Sequence, residues 1–155
     1  MITDIKVQQL TKTGIVLAGL GTAYTAWTDS LPLSDLAAVF YAGLIIMVVL
    51  FHIALALGAP WGVYTLGGRW DGQLPVKARI IPVLSVPLLG FMAVVILIRR
   101  GIVPLDWPPA LYWVAMALTF LTFLANTATP SLPERAAWAP VTALMLLSGL
   151  IAGLS

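Results

Sequence analysis

The sequence predicts an all-α integral membrane protein, a bundle of five transmembrane helices, with four spans plus an N-terminal interfacial helix as the alternative. Three observations carry this. Of 155 residues, 61% are hydrophobic and 9% charged, where a soluble domain carries about a quarter charged. Mean hydropathy is +1.02, so too few charges exist to coat a water-facing surface and the solvent must be lipid. The apolar residues also run in long segments with no Asp, Glu, Lys or Arg inside them, as a hydrocarbon core needing about 20 apolar residues of helix demands. We read one membrane domain over residues 1–155.

The first candidate span, about residues 13–28, is short. Gly14, Ala18, Thr22 and Ala26 fall in one four-residue row, with Gly19 and Ala23 on a neighbouring row; such rows let helix backbones approach closely in lipid. Lys6 and Lys12 ahead of it and Gly21-Thr22-Ala23 within it resemble a secretory signal, but we read the segment as retained. The second span is 36–57. An inner loop, 58–79, follows: Gly58-Ala59-Pro60 ends one helix, Asp71-Gly72 makes a tight turn and Pro75 leads into the next helix.

The third span, 80–98, is stopped by Arg99-Arg100. Pro82 and Pro87 lack N–H groups and crowd the carbonyls of Ala78 and Val83. A bent start is predicted, with the freed carbonyls paired by Ser85, a neighbouring helix or water. The connector Gly101–Pro109 is stiff with proline, and Pro108 or Pro109 opens the fourth span, 110–127. In the last connector, 129–137, Thr129 or Ser131 caps the final span, 138–154, and Glu134 and Arg135 read as a solvated pair. Gly149 and Gly153 form a helix-contact step, within the protein or toward a partner.

With five spans, one side holds Lys6, Lys12, Arg69, Lys77, Arg79 and Arg135, and the other Arg99 and Arg100. If residues 13–28 do not cross, Lys6 and Lys12 change sides and the basic residues divide equally. The positive-inside rule therefore favours five spans in an inner (cytoplasmic) membrane, N-terminus in the cytoplasm and C-terminus outside. Trp61, Trp70 and Trp138 then lie at the inner boundary and Trp27, Trp107 and Trp113 at the outer, as aromatic belts.

Leu57-Gly58-Ala59-Pro60-Trp61-Gly62, Gly67-Gly68-Arg69 with Gly72-Gln73-Leu74-Pro75, and later Asn126, Thr129-Pro130-Ser131, Glu134-Arg135 and Trp138-Ala139-Pro140 form a set. In these residues the chain resembles a group of small, uncharacterised bacterial multi-pass membrane proteins. The resemblance covers about residues 36–154, leaves 1–33 outside, and implies a four-helix core with no assigned activity.

Candidate chemistry is sparse. There is no cysteine, hence no disulfide, thiolate site or thiol nucleophile. No basic run suits nucleic acid, and the glycines match no phosphate-binding loop. The absence of intramembrane carboxylates argues against a stand-alone proton-coupled transporter. His52, the only histidine, lies inside the second span, where it can hydrogen-bond a neighbouring helix, sense pH or ligate a metal; a bis-histidine haem would need a second histidine from another chain. Thr119, Thr122 and Asn126 add polarity to the fourth span, for a small polar ligand, for bonds between helices or for bonds back to their own helix. Arg69, Lys77 and Arg79 with Trp61, Tyr64 and Trp70 are candidates for an anionic lipid headgroup or for topology and snorkelling alone.

These residues lead us to expect a non-enzymatic protein with no resident cofactor or metal. It would act through helix–helix contacts as an accessory subunit or scaffold of a larger membrane assembly, with the bilayer and a protein partner or a second copy around it. The alternative is a small-molecule or lipid-binding membrane protein or carrier, with a pocket near Pro82, Pro87, His52 and Asn126. A third reading is a haem-bearing subunit using His52.

Overall fold

The computed structural model describes residues 32–154. The chain divides at Pro32, and the unit from Leu33 onward is built from four long helices. We number them α1 (Leu33–Leu57), α2 (Ile80–Arg99), α3 (Ala110–Ala128) and α4 (Leu132–Leu154). Among the described residues all regular structure is helical, and four helices are long and apolar enough to cross a membrane. That number matches the four-span alternative. The first candidate span, 13–28, lies outside the described residues, so a fifth helix is not among those seen.

The helix ends follow from local chemistry. α1 stops at Gly58, whose φ of 99° suits glycine. The N–H of Gly58 bonds the carbonyl of Leu55 at 3.1 Å and that of Ala59 the carbonyl of Ala54 at 2.8 Å, the paired bonds of a Schellman cap. α2 repeats the device: Gly101 has φ 70°, its N–H bonds Ile98, and Ile102 bonds Leu97. α3 opens behind Pro108 and Pro109, whose carbonyls accept the N–H groups of Leu111 and Tyr112. Proline is at no disadvantage there, because an N–H in the first turn has no helical partner. α4 starts at Ser131, whose Oγ accepts the N–H of Glu134 at 3.3 Å.

Two local expectations are corrected. Ser85 donates to Ile81 O at 2.9 Å, not to the carbonyls that Pro82 and Pro87 release, and Ala78 O instead takes the N–H of Ile80. Glu134 and Arg135 do not pair: the glutamate accepts from Gly67 and Thr129, while Arg135 donates to Thr129 O. Adjacent helix positions diverge by about 100°, which sends the two side chains to different partners.

Short connectors make sequence neighbours spatial neighbours. α1 packs on α2 and α4, α3 packs on α4, and of the four seams between neighbouring helices α2–α3 is the loosest. Cross-helix bonds fix an up-down-up-down order. At one end Arg100 Nε donates to Asp35 Oδ1 at 2.7 Å, Arg99 to Gly153 O at 3.4 Å and Tyr112 to Gly149 O at 3.2 Å. That end gathers the starts of α1 and α3 and the ends of α2 and α4; the other end carries residues 58–79.

The bundle centre is apolar apart from a buried hydrogen bond between two side chains. Tyr41 and Thr119 are both fully buried. Thr119 donates its one proton to Ala115 O at 2.8 Å, so Tyr41 is the donor in their 2.7 Å contact. Gly149 and Gly153 face inward: a Cβ at Gly149 would lie 2.7 Å from Met116 Sδ, and one at Gly153 would enter the Tyr112 ring. The glycine step is therefore a contact face within the protein, between α3 and α4. Gly43 is exposed, with open space where a Cβ would stand. Gly153→Ala should accordingly cost about 1–3 kcal/mol through overpacking and lower the thermal midpoint in detergent, whereas Gly43→Ala, with room for its Cβ, should leave it unchanged or raise it slightly.

Candidate functional site

The loop between α1 and α2 is a folded roof. It contains two single turns of 3-10 helix, Gly62–Tyr64 and Val76–Arg79, with the left-handed turn Leu66–Gly68 between them. Gly62 donates to Gly72 O at 2.8 Å, and a Cβ on Gly62 would meet the carbonyl oxygens of Trp70 and Gly72 at 2.5 and 2.6 Å. Leu66, Gly67 and Gly68 follow one another at φ 53°, 76° and 66°. Leu66 is the one non-glycine with positive φ among the described residues, a conformation costing about 1–3 kcal/mol.

The start of α4 holds this roof in place. Ser131 Oγ donates to Val63 O at 2.8 Å while it accepts from Glu134 N. Glu134 Oε2 accepts the N–H of Gly67 and the hydroxyl of Thr129, both at 2.8 Å. Trp138 Nε1 donates to Tyr64 O at 2.9 Å. A Cβ at Gly68 would collide with Ser131 at 2.7 Å, so glycine there is a requirement of the contact. The two glycine-rich and Thr-Pro-Ser motifs, 60 residues apart in the chain, are thus the two halves of one clasp.

Beneath the roof lies a cavity of about 380 Å³, lined by all four helices and the loop. Its walls are mainly aliphatic, and Phe51 and Trp138 line one side with their rings 4.5 Å apart. Trp61 stacks on Phe51 at 5.9 Å. Ile81, Leu88 and Ala125 line the cavity yet are exposed at the bundle surface. They belong to α2 and α3, the loosest seam, so the mouth opens sideways, where lipid would stand.

The polar groups of the lining share one habit. Thr122 donates to Leu118 O at 2.8 Å, Ser85 to Ile81 O at 2.9 Å and Thr142 to Trp138 O at 2.8 Å. Asn126 Nδ2 donates to Thr122 O at 2.9 Å. His52 Nδ1 lies 2.8 Å from Val48 O; a carbonyl only accepts, so Nδ1 carries the proton and Nε2 is left as an acceptor. Glu134 adds a carboxylate, and among the described residues no lysine or arginine lines the cavity.

Of the residues singled out from sequence, His52, Thr122 and Asn126 therefore meet in one cavity, together with Pro82. Pro87 is not in the lining, and Thr119 is sealed in the core against Tyr41. The candidate headgroup residues sit at the loop end. Arg69 and Lys77 are exposed. Arg79 stitches the loop, donating to Leu74 O at 2.9 Å and packing on Gly58. Trp61 belongs to the Phe51 stack, and Trp70 lies over Gly62. Sequence reasoning missed Phe51, Ser85, Glu134, Trp138 and Thr142 as lining residues. The capping pattern Ser131-x-x-Glu134 marked the start of α4, but it directs the glutamate to the N–H of Ser131 and not to Gly67, which takes that bond.

A smaller cavity of about 170 Å³ lies at the opposite end, beside Arg99, Asp106, Trp107 and Tyr112. There the Arg99 guanidinium stands 5.5 Å from the centre of the Tyr112 ring. Among the described residues no group of three potential metal ligands comes together. Comparison with protein-family models, with curated proteins and with solved structures found no match to this chain.

The clasp makes a direct prediction. Glu134→Ala removes the acceptor for Gly67 and Thr129. Hydrogen bonds to a charged group contribute about 1.5–3 kcal/mol, so hydrogen exchange of the Gly67 amide, read by mass spectrometry in nanodiscs, should accelerate about tenfold or more. Unchanged exchange would mean that Glu134 does not hold the loop.

Proposed function

We propose that this chain is a membrane-embedded binding protein for a small amphiphile, which passes between cavity and bilayer through the α2–α3 seam. The observation that carries the reading is the cavity of about 380 Å³ with apolar walls and a few convergent polar groups, within the size range and make-up of ligand sites. Its lateral mouth favours a ligand drawn from lipid. Ala125→Trp, placed at the mouth, should abolish co-purification of an amphiphile seen by mass spectrometry while leaving the helical circular dichroism of the purified protein as in wild type. Equal retention by the variant would overturn the reading.

The location we propose is an inner membrane with the roofed end facing the cytoplasm. Arg69, Lys77, Arg79 and Arg135 lie at that end, against Arg99 and Arg100 at the other, which supports this orientation through the positive-inside rule. For the same reason we retain five spans with a cytoplasmic N-terminus as the proposed topology, because Lys6 and Lys12 then join the basic side. The chain lacks cysteine, so Arg69→Cys and Leu105→Cys each provide a single thiol. In intact cells an impermeant maleimide should label only the second; the opposite pattern reverses the orientation.

A second reading, an accessory subunit or scaffold acting through helix contacts, is favoured by one observation. Gly43 is exposed on α1 with open space above it, where a partner helix or second copy can approach closely. Gly149 and Gly153 no longer support that reading, because Met116 and Tyr112 occupy their faces.

A further inference from the structure

We propose that the cavity selects amphiphiles whose head donates hydrogen bonds and carries no negative charge, an alcohol or an amine, and rejects carboxylate, phosphate and sulfate heads. The inference rests on the binding role proposed above and assigns its ligand class.

The argument is an inventory of protons. A hydroxyl side chain has one proton to give. Ser85, Thr122 and Thr142 each spend it on a carbonyl of their own helix, so each offers the cavity lone pairs only. His52 spends its proton on Val48 O, which leaves Nε2 as an acceptor. Asn126 directs Nδ2 to Thr122 O, and its carbonyl oxygen accepts. The indole N–H of Trp138 is given to Tyr64 O. The donors that remain are neutral: the Tyr64 and Thr65 hydroxyls and the second Nδ2 proton of Asn126.

Charge points the same way. Glu134 is in the lining, and the basic residues of this end, Arg69, Lys77, Arg79 and Arg135, are not. An anionic head would meet a carboxylate in a medium of low dielectric with no cation among the described lining residues to offset it, and like charges at close range cost several kcal/mol. A hydroxyl or ammonium head would find several acceptors. The rings of Phe51 and Trp138 beside them offer an ammonium group further attraction through their faces. At about 380 Å³ the space holds roughly a dozen water-sized groups, which suits a medium-length alkyl chain.

Four probes with one chain test this: decanol, decylamine, decanoate and decyl sulfate. Each is added to the full-length protein in nanodiscs, and the retained amount is read by native mass spectrometry for wild type and for Ala125→Trp. The mouth variant isolates the cavity-bound fraction. The cavity-bound decanol and decylamine should exceed decanoate and decyl sulfate by about tenfold or more. Thr122→Val with Asn126→Leu, which fills the site with isosteric apolar groups, should lower decanol retention several-fold without restoring the anions. Anions retained as well as the alcohol overturn the donor-head assignment and leave the binding role standing. No Ala125→Trp-sensitive retention of any probe overturns the binding role, and the assignment with it.

Discussion

Backbone that leaves the helix at the edge of a bilayer must still pair its N–H and C=O groups, because lipid offers none in return. Residues 58–79 meet that constraint with partners held rigidly on α4. Ser131 takes the carbonyl of Val63, Glu134 the N–H of Gly67, and Trp138 the carbonyl of Tyr64. Removing the α4 contacts would leave a strained left-handed run, Leu66 to Gly68, with unpaired groups beside hydrocarbon. The clasp is thus what lets a non-helical segment cover the bundle end, and what creates a lid over the space between the helices.

The same rule acts on the side chains. Hydroxyls on membrane helices satisfy themselves most cheaply by bonding the carbonyl one turn back, and Ser85, Thr122, Thr127, Thr142 and Ser148 all do so. Where such a residue faces another helix, as Thr119 faces Tyr41, the remaining lone pair accepts a cross-link. Where it faces the cavity, the lone pair is presented to whatever enters. One local economy of hydrogen bonding therefore sets both the rigidity of the core and the acceptor character of the cavity.

Legibility in the sequence tracked how local the determining physics was. The four long helices were readable because hydropathy and span length are one-dimensional properties, and Gly58-Ala59-Pro60 was readable because a Schellman cap needs only its own residues. The clasp was not, since Gly67 and Glu134 lie in different motifs and nothing in either specifies the other. Glu134 and Arg135 were read as a surface pair from adjacency, whereas the folded loop supplies better partners for each. The cavity was visible in outline through His52, Asn126 and Pro82, residues that look costly inside a span. Phe51, Thr142 and Trp138 stayed hidden because apolar and hydroxyl residues are common on every face of a membrane helix.

Packing energetics give the cavity a consequence of its own. Voids left in protein cores cost about 24 cal/mol per Å³. An open-sided space of about 380 Å³ forfeits contacts of the same kind wherever nothing packs against its walls. The lateral mouth lowers this by letting lipid chains contribute contacts, but a lipid tail brings no donor for Asn126, His52 or Glu134. On the proposed binding role, an occupant with a donor head fills the volume and adds hydrogen bonds to the remaining lone pairs of the lining, whereas a plain acyl chain does only the first. On that role, stability and ligand selection are therefore coupled: the chemistry that best satisfies the lining would also add contacts across the α2–α3 seam.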